Sequence, residues 1–463
     1  MGFQPESAGV RCSMSEQINW DKELSWIGEY RFPLQRRDQS YTALMTKWIY
    51  DYCTHIGDCK SLGDEIKRRI ETFANSLVES HTLYLNSQFA AAYTLFNQSM
   101  DNVQDSLLSV DFGMQNSYTN EGVGHYFRIR KSDKTRSYLE MLHIPLSSRR
   151  YATTGRFSAP GMPCSYLASS VEICWYECEM PRIFQLAKYR VKSATGNKKK
   201  LLKLDINPLL VKHDLPLLYR RNNISDDQMK CFAEQLFFIF PLLAMCSVTA
   251  RKNGGDFIEE YVIPQMLMAW LRTNSAFIGV RYYSDSSNAL VRNNSGHNVA
   301  IPVRDENNAG YSSEICSLFE FSEDAKSKTV DMANILQRKF SKEIAKLELF
   351  LEEVTYEKQH FNSPDPTLSS ATVAVYSGYC SICESLLSLL NDYSDNKEQS
   401  SYAIVLTLAE MFNWGKLLKE HVNNQSGMFD ERANEYVSRF NTEILGLMDS
   451  ICSFFRLSIS WGI

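Results

Sequence analysis

At 463 residues the chain exceeds one ordinary hydrophobic core, and about two to four domains are expected. With 44% hydrophobic and 22% charged residues it is globular rather than disordered. A net charge of −5 speaks against a general nucleic-acid sheath, which would be basic, and no apolar run reaches the roughly eighteen residues that span a bilayer.

Residues 1–20 lack an apolar core, so no secretory signal is expected, and MGFQPE lacks the Ser or Thr of a myristoylation signal. This stretch reads as a flexible tail and the chain as cytoplasmic. Residues 21–118 read as an N-terminal helical domain: Ile66, Ile70, Phe73, Leu77 and Tyr84 recur on one helical face. From 119 to 325 the pattern changes to short apolar runs, YFRIR, SYLASS and IGVRYY, broken by Gly, Pro and Ser, which predicts strands of a mixed sheet. Val171 to Pro181 reads as a short helix capped by Ser169 or Ser170, which brings Glu177 back across the strand of Tyr166. The lysines of ATGNKKKLLKLDI (194–206) read as a solvated edge before a strand, and FFIFPLLAMCSV (237–248) as a buried helix or strand. Phe257 to Leu271 is amphipathic and helical. Residues 326–463 return to helical period, with stripes through Leu347, Leu408 and Phe440, and read as a C-terminal bundle.

Twelve cysteines form no framework. Cys174 and Cys178 lie one turn apart and Cys380 and Cys383 make a CxxC, but no second pair completes four zinc ligands, so buried thiols and no metal are expected. Neither a GxGxxG after a strand nor a P-loop is present, so a bound redox dinucleotide is not expected.

The chemistry-bearing stretch runs from Tyr126 to Ser284. YFRIR (126–130) precedes TGRFSAPGMPCSYLASSVEICWYE (154–177), in which Arg156 stands ten positions before Tyr166 and Glu177 eleven after it. YVIPQMLMAWLRTNSAFIGVRYYS (261–284) closes the set. Two guanidiniums, an aromatic face and a carboxylate suit a diphosphate joined to a ring through a cleavable sugar bond.

These pieces resemble the RES family, named for an Arg, a Glu and a Ser that recur in that order. Gly155 or its neighbour Thr154, then Arg156, Phe157, Pro160-Gly161, Tyr166 and Glu177 fill the family's middle motif. Arg128 fills the opening position, with Arg130 close enough to share it, and Ser284 the last; Tyr283 stands where the family usually has proline. The wording is similar to long, multi-domain bacterial members. The resemblance covers about 120–290, under half the chain.

The resemblance implies an α+β, ADP-ribosyltransferase-like RES domain with a mixed sheet, here flanked by all-α domains, and NAD as substrate rather than cofactor. Nicotinamide leaves as a neutral amide, so the positive charge growing on the ribose is what needs a fixed carboxylate. Glu177 is the implied catalytic group, with Arg128 and Ser284 beside it; Arg156, Tyr166, Arg130 and Arg281 are the implied NAD contacts. Ser284 has no neighbouring His–Asp pair, so it is expected to hydrogen-bond the dinucleotide. His143 is expected to be structural. The implied activity is an NAD glycohydrolase or phosphorolase acting as a bacterial toxin or anti-phage effector. The alternatives are an ADP-ribosyltransferase acting on a macromolecule and a catalytically inactive scaffold. The implied partners are NAD, an antitoxin or regulatory protein, and a second copy through the helical domains; neither membrane nor nucleic acid is expected.

Overall fold

The computed structural model describes residues 18–36, 39–113, 124–178, 181, 183–192, 199–208, 211–212, 225–250, 257–283, 296–322, 324–331 and 349. In chain order the elements are α1 (Trp20–Leu24), α2 (Tyr41–Asp58), α3 (Asp64–Leu85), α4 (Phe89–Val103), β1 (Ser109–Asp111) and β2 (His125–Arg130). Then come α5 (Tyr138–Leu142), β3 (Cys164–Ala168), α6 (Val171–Glu177), β4 (Ile183–Val191) and β5 (Lys200–Leu204). The last are α7 (Asp226–Cys246), α8 (Val262–Thr273), β6 (Gly279–Tyr282), β7 (Asn298–Pro302), α9 (Ser313–Ser317), β8 (Phe319–Glu320) and β9 (Lys328–Asp331). The expected mixture of helix and sheet is present, and every strand pairing specified below is antiparallel. The C-terminal stripes and the Cys380–Cys383 pair lie outside the described residues.

Two compact units divide the chain. One holds Met1–Val110, Thr154–Ala159 and Lys200–Phe277; the other holds Asp111–Thr153, Pro160–Lys199 and Ile278–Ile463. The first is mainly helical. Ser40 starts α2 by accepting from the Ala43 N–H, and Ser225 starts α7 in a capping box with Gln228. On α3 the predicted stripe is realised, with Ile70, Phe73 and Leu77 buried. The run at 237–248 belongs to α7, which reaches 21 residues and by length and hydropathy could cross a membrane. Its residues from Leu236 to Cys246 are all buried within the unit, however, so it is a core helix. Trp26 stacks on Phe237 at 5.7 Å and Phe32 meets Phe240 edge-on at 5.7 Å.

Pro241 sits inside α7 and has no N–H, so the Phe237 carbonyl loses its partner one turn back. The Tyr52 hydroxyl replaces it, donating to Phe237 O at 2.6 Å, and the Tyr41 hydroxyl donates to Met245 O at 2.9 Å near the helix end. Tyr52→Phe is therefore expected to leave a buried carbonyl unsatisfied and to lower the unfolding free energy by about 1–3 kcal/mol, read by urea denaturation. The helix expected from Phe257 begins later: a single 3-10 turn, Glu259–Tyr261, precedes α8, and Pro264 falls in its first turn, where no N–H is needed.

In the second unit the strands lie in the order β6-β7-β3-β2-β4-β8, and β9 also pairs with β4. Strand β9 thus occupies the opening of the stretch expected to be helical from 326. The Pro160-Gly161 step forms a turn with Gly161 at φ 75°, a left-handed value suited to glycine, just before β3. Register assigns the faces, because residues directly opposite in an antiparallel pair point the same way. Phe127 pairs with Ala168, Tyr166 with Ala300, Ala168 with Asn298, and Tyr282 with Asn298. Phe127, Tyr166, Asn298 and Tyr282 therefore share one face. Arg128, Arg130 and Arg281 fall on the other, since Arg281 pairs with Val299 and Val299 with Leu167.

Candidate active site

Helix α6 is fastened by four hydrogen bonds. The Ser170 hydroxyl accepts from the Ile173 N–H at 3.3 Å, which selects Ser170 over Ser169 as the cap. Cys174 and Cys178, one turn apart, donate their thiols to the carbonyls of Phe127 at 3.0 Å and Ile129 at 3.8 Å, tying the helix to β2. Burial pushes the Cys174 thiol far up, so it stays protonated and serves as a donor rather than a nucleophile. At the far end the Trp175 indole N–H donates to Pro181 O at 2.9 Å.

Glu177 closes α6 with its side chain exposed. The Asn298 amide donates to its Oε1 at 2.9 Å. Asn298 is itself 3% exposed and fixed in β7, so a rigid strand orients a carboxylate that solvent reaches. Tyr166 and Tyr282 are half-buried on the face that carries Asn298. Asn298 and Tyr282 escaped the sequence reading. The signal for Asn298 was a lone amide opening the otherwise apolar strand NVAIP.

The arginines are placed differently. Arg128 uses Nη1 to donate to Leu142 O at 2.9 Å and Tyr166 O at 3.0 Å, and the Ser165 hydroxyl donates to the same Leu142 carbonyl at 2.8 Å. Its guanidinium thus pins α5 to β3 from the face opposite the Tyr166 ring, and burial lowers its pKa. Arg281 is 2% exposed on that same face. Ser284 lies outside the described residues. His143 is fully buried: its Nε2 accepts from the Ser312 N–H at 2.9 Å, so Nδ1 carries the proton and donates to Ile144 O at 2.9 Å. Desolvation lowers its pKa and favours this neutral tautomer. A hydrogen bond of 3.1 Å links the Tyr126 hydroxyl to His297 Nε2.

Arg156 belongs to the first unit, where its guanidinium donates to Cys246 O and, at 3.1 Å, to Val248 O. It also lies over the Tyr261 ring, 5.5 Å from the centroid. Cys246 closes α7 and Val248 lies two residues beyond it, and one planar fork bonds both carbonyls. Arg156→Ala is expected to cost about 2–3 kcal/mol of stability, and Arg156→Lys to recover only part of it, because a point charge lacks the fork. Chemical denaturation reads both. A raised Michaelis constant with unchanged stability would instead mark a substrate contact.

No family profile matches the chain, and no solved structure matches it. It is 28% identical over 270 residues to a Bacillus subtilis (strain 168) protein named "Putative toxin YopC". The match covers 57% of this chain and 60% of that protein, so the chain spans about three fifths of the relative's length.

Proposed function

We propose that the chain is a toxin that cleaves the nicotinamide–ribose bond of NAD, with Glu177 as the charge-stabilising carboxylate. One observation carries the reading: an exposed carboxylate at a helix end is held at 2.9 Å by an amide buried in a strand. Likeness to a protein named as a toxin supports the biological role. The sequence resemblance to RES proteins supports the substrate.

The amide fixes the carboxylate through Oε1, and in the proposed reaction the carboxylate meets a ribose hydroxyl. As the C–N bond breaks, nicotinamide departs with the bonding pair as a neutral amide, and no general acid is required. The ribose carbon becomes oxocarbenium-like, and the fixed negative charge of Glu177 favours that state over the ground state. Tyr166 offers a ring on the same sheet face for stacking. Water, phosphate or a macromolecular nucleophile would then add to the ribose.

The test is nicotinamide release from NAD by the full chain, with and without phosphate. Product analysis separates ADP-ribose, its 1″-phosphate and a modified macromolecule. No release by the full chain under any of these conditions would refute the reading and favour an inactive scaffold.

A further inference from the structure

Strand β2 sends Arg128 and Arg130 to the face opposite Tyr166, and Arg136 follows in the next turn of chain. None of the three guanidiniums forms an ion pair among the described residues. The Nε groups of Arg130 and Arg136 are fully enclosed and have no hydrogen-bond acceptor among the described residues. Burial, joined by the positive charges of Arg128 and Arg136, draws the Arg130 guanidinium down to about 9. The charges are therefore close enough to oppose one another.

Nearby carboxylates do not relieve them. Glu140 senses Arg136 and Arg130, but its strongest interaction is with the Ser137 N–H, which it accepts at 2.8 Å in the capping box of α5. Asp305 is taken up by the Ser312 hydroxyl and by the N–H groups of Ser313, at 2.8 Å, and Glu314. Among the described residues, three positive groups thus face one exposed, already engaged Glu140. Tyr311, half-buried and within electrostatic reach of Arg130, rests edge-on against His143 at 5.5 Å and adds a hydroxyl donor.

We propose that Arg130, Arg136 and Tyr311, backed by Arg128, bind a phosphate-type oxoanion at a site separate from Glu177. Planar forks with idle N–H groups match adjacent phosphate oxygens, and a di- or trianion cancels the excess charge. The sheet stands between this face and the one that carries Tyr166 and Asn298, so the anion would not be the group that is cleaved.

The test uses the full chain and pyrophosphate, with ADP and NAD as further arms, followed by thermal unfolding and titration calorimetry. Pyrophosphate at about a hundred times its Kd is expected to raise Tm by several degrees. Arg130→Gln and Arg136→Gln should each weaken binding at least about tenfold, the effect of losing one charge-assisted contact. Without the anion both variants should be as stable as the parent or more so, because a repulsive charge is gone. A structural role would give the reverse, with Tm lowered and the anion response kept, and that result overturns the proposal. So does the absence of pyrophosphate binding at tens of millimolar. If NAD displaces pyrophosphate and the arginine variants raise the Michaelis constant for NAD, the site is the substrate's own and its separateness is refuted. Nicotinamide release is read independently, so failure here leaves the cleavage reading standing or falling by itself.

Discussion

Glu177→Gln is expected to lower nicotinamide release from NAD by about 10²–10³-fold while leaving the Michaelis constant nearly unchanged. Glutamine keeps the length and one carbonyl oxygen, so the Asn298 amide can still donate as it does to Glu177 Oε1. What disappears is the negative charge, which in the proposed reaction counts most when the ribose carries its developing positive charge. Because Glu177 is exposed, the substitution should leave thermal unfolding close to that of the parent. Steady-state release of nicotinamide, measured beside a melting curve, separates chemistry from folding. A variant that raised only the Michaelis constant would make Glu177 a binding group, and an unaffected variant would remove it from the reaction.

A fragment of residues 118–325 is expected to be insoluble. From the sequence this stretch reads as a domain of its own, yet α7 and α8 cluster in one unit with the helices before residue 110. The fragment keeps α7 and discards Trp26, Phe32, Tyr41 and Tyr52, which pack its aromatic side chains or bond its carbonyls. Phe237, Phe240 and their neighbours would face water, and the carbonyls of Phe237 and Met245 would lose their hydroxyl partners. Expression followed by a solubility assay and size-exclusion chromatography decides it. A monodisperse, folded fragment would show that 118–325 stands alone after all.

Much of the local structure was legible because it rests on local signals. The stripe through Ile70, Phe73 and Leu77 gives α3; the bracketed runs around Arg128, Tyr166 and Arg281 give β2, β3 and β6; Ser170 before an amphipathic run gives α6. What stayed hidden depends on partners far away in sequence. Arg156 bonds carbonyls some ninety positions on, and nothing around Gly155 announces it. Whether Arg128 and Tyr166 share a sheet face follows from Phe127 standing opposite Ala168, a pairing that two short apolar runs do not specify. Asn298 joins Glu177 across more than a hundred residues. The site was read as a set of residue types, and the structure sorts that set by sheet face and by unit.

The division into interleaved units has a consequence for how the molecule comes into being. Helix α3 ends at Leu85, and α7, which packs in the same unit, begins at Asp226, roughly 140 residues later. At a synthesis rate of about 5–20 residues per second, the early helices wait on the order of 7–28 s for the segment that covers them. Through that interval the nascent chain carries Trp26, Tyr52 and Phe73 without their core. Ordered packing of the first unit is thus a late, non-local event, and during it the growing polypeptide offers apolar surface to chaperones and to neighbouring chains on the same message.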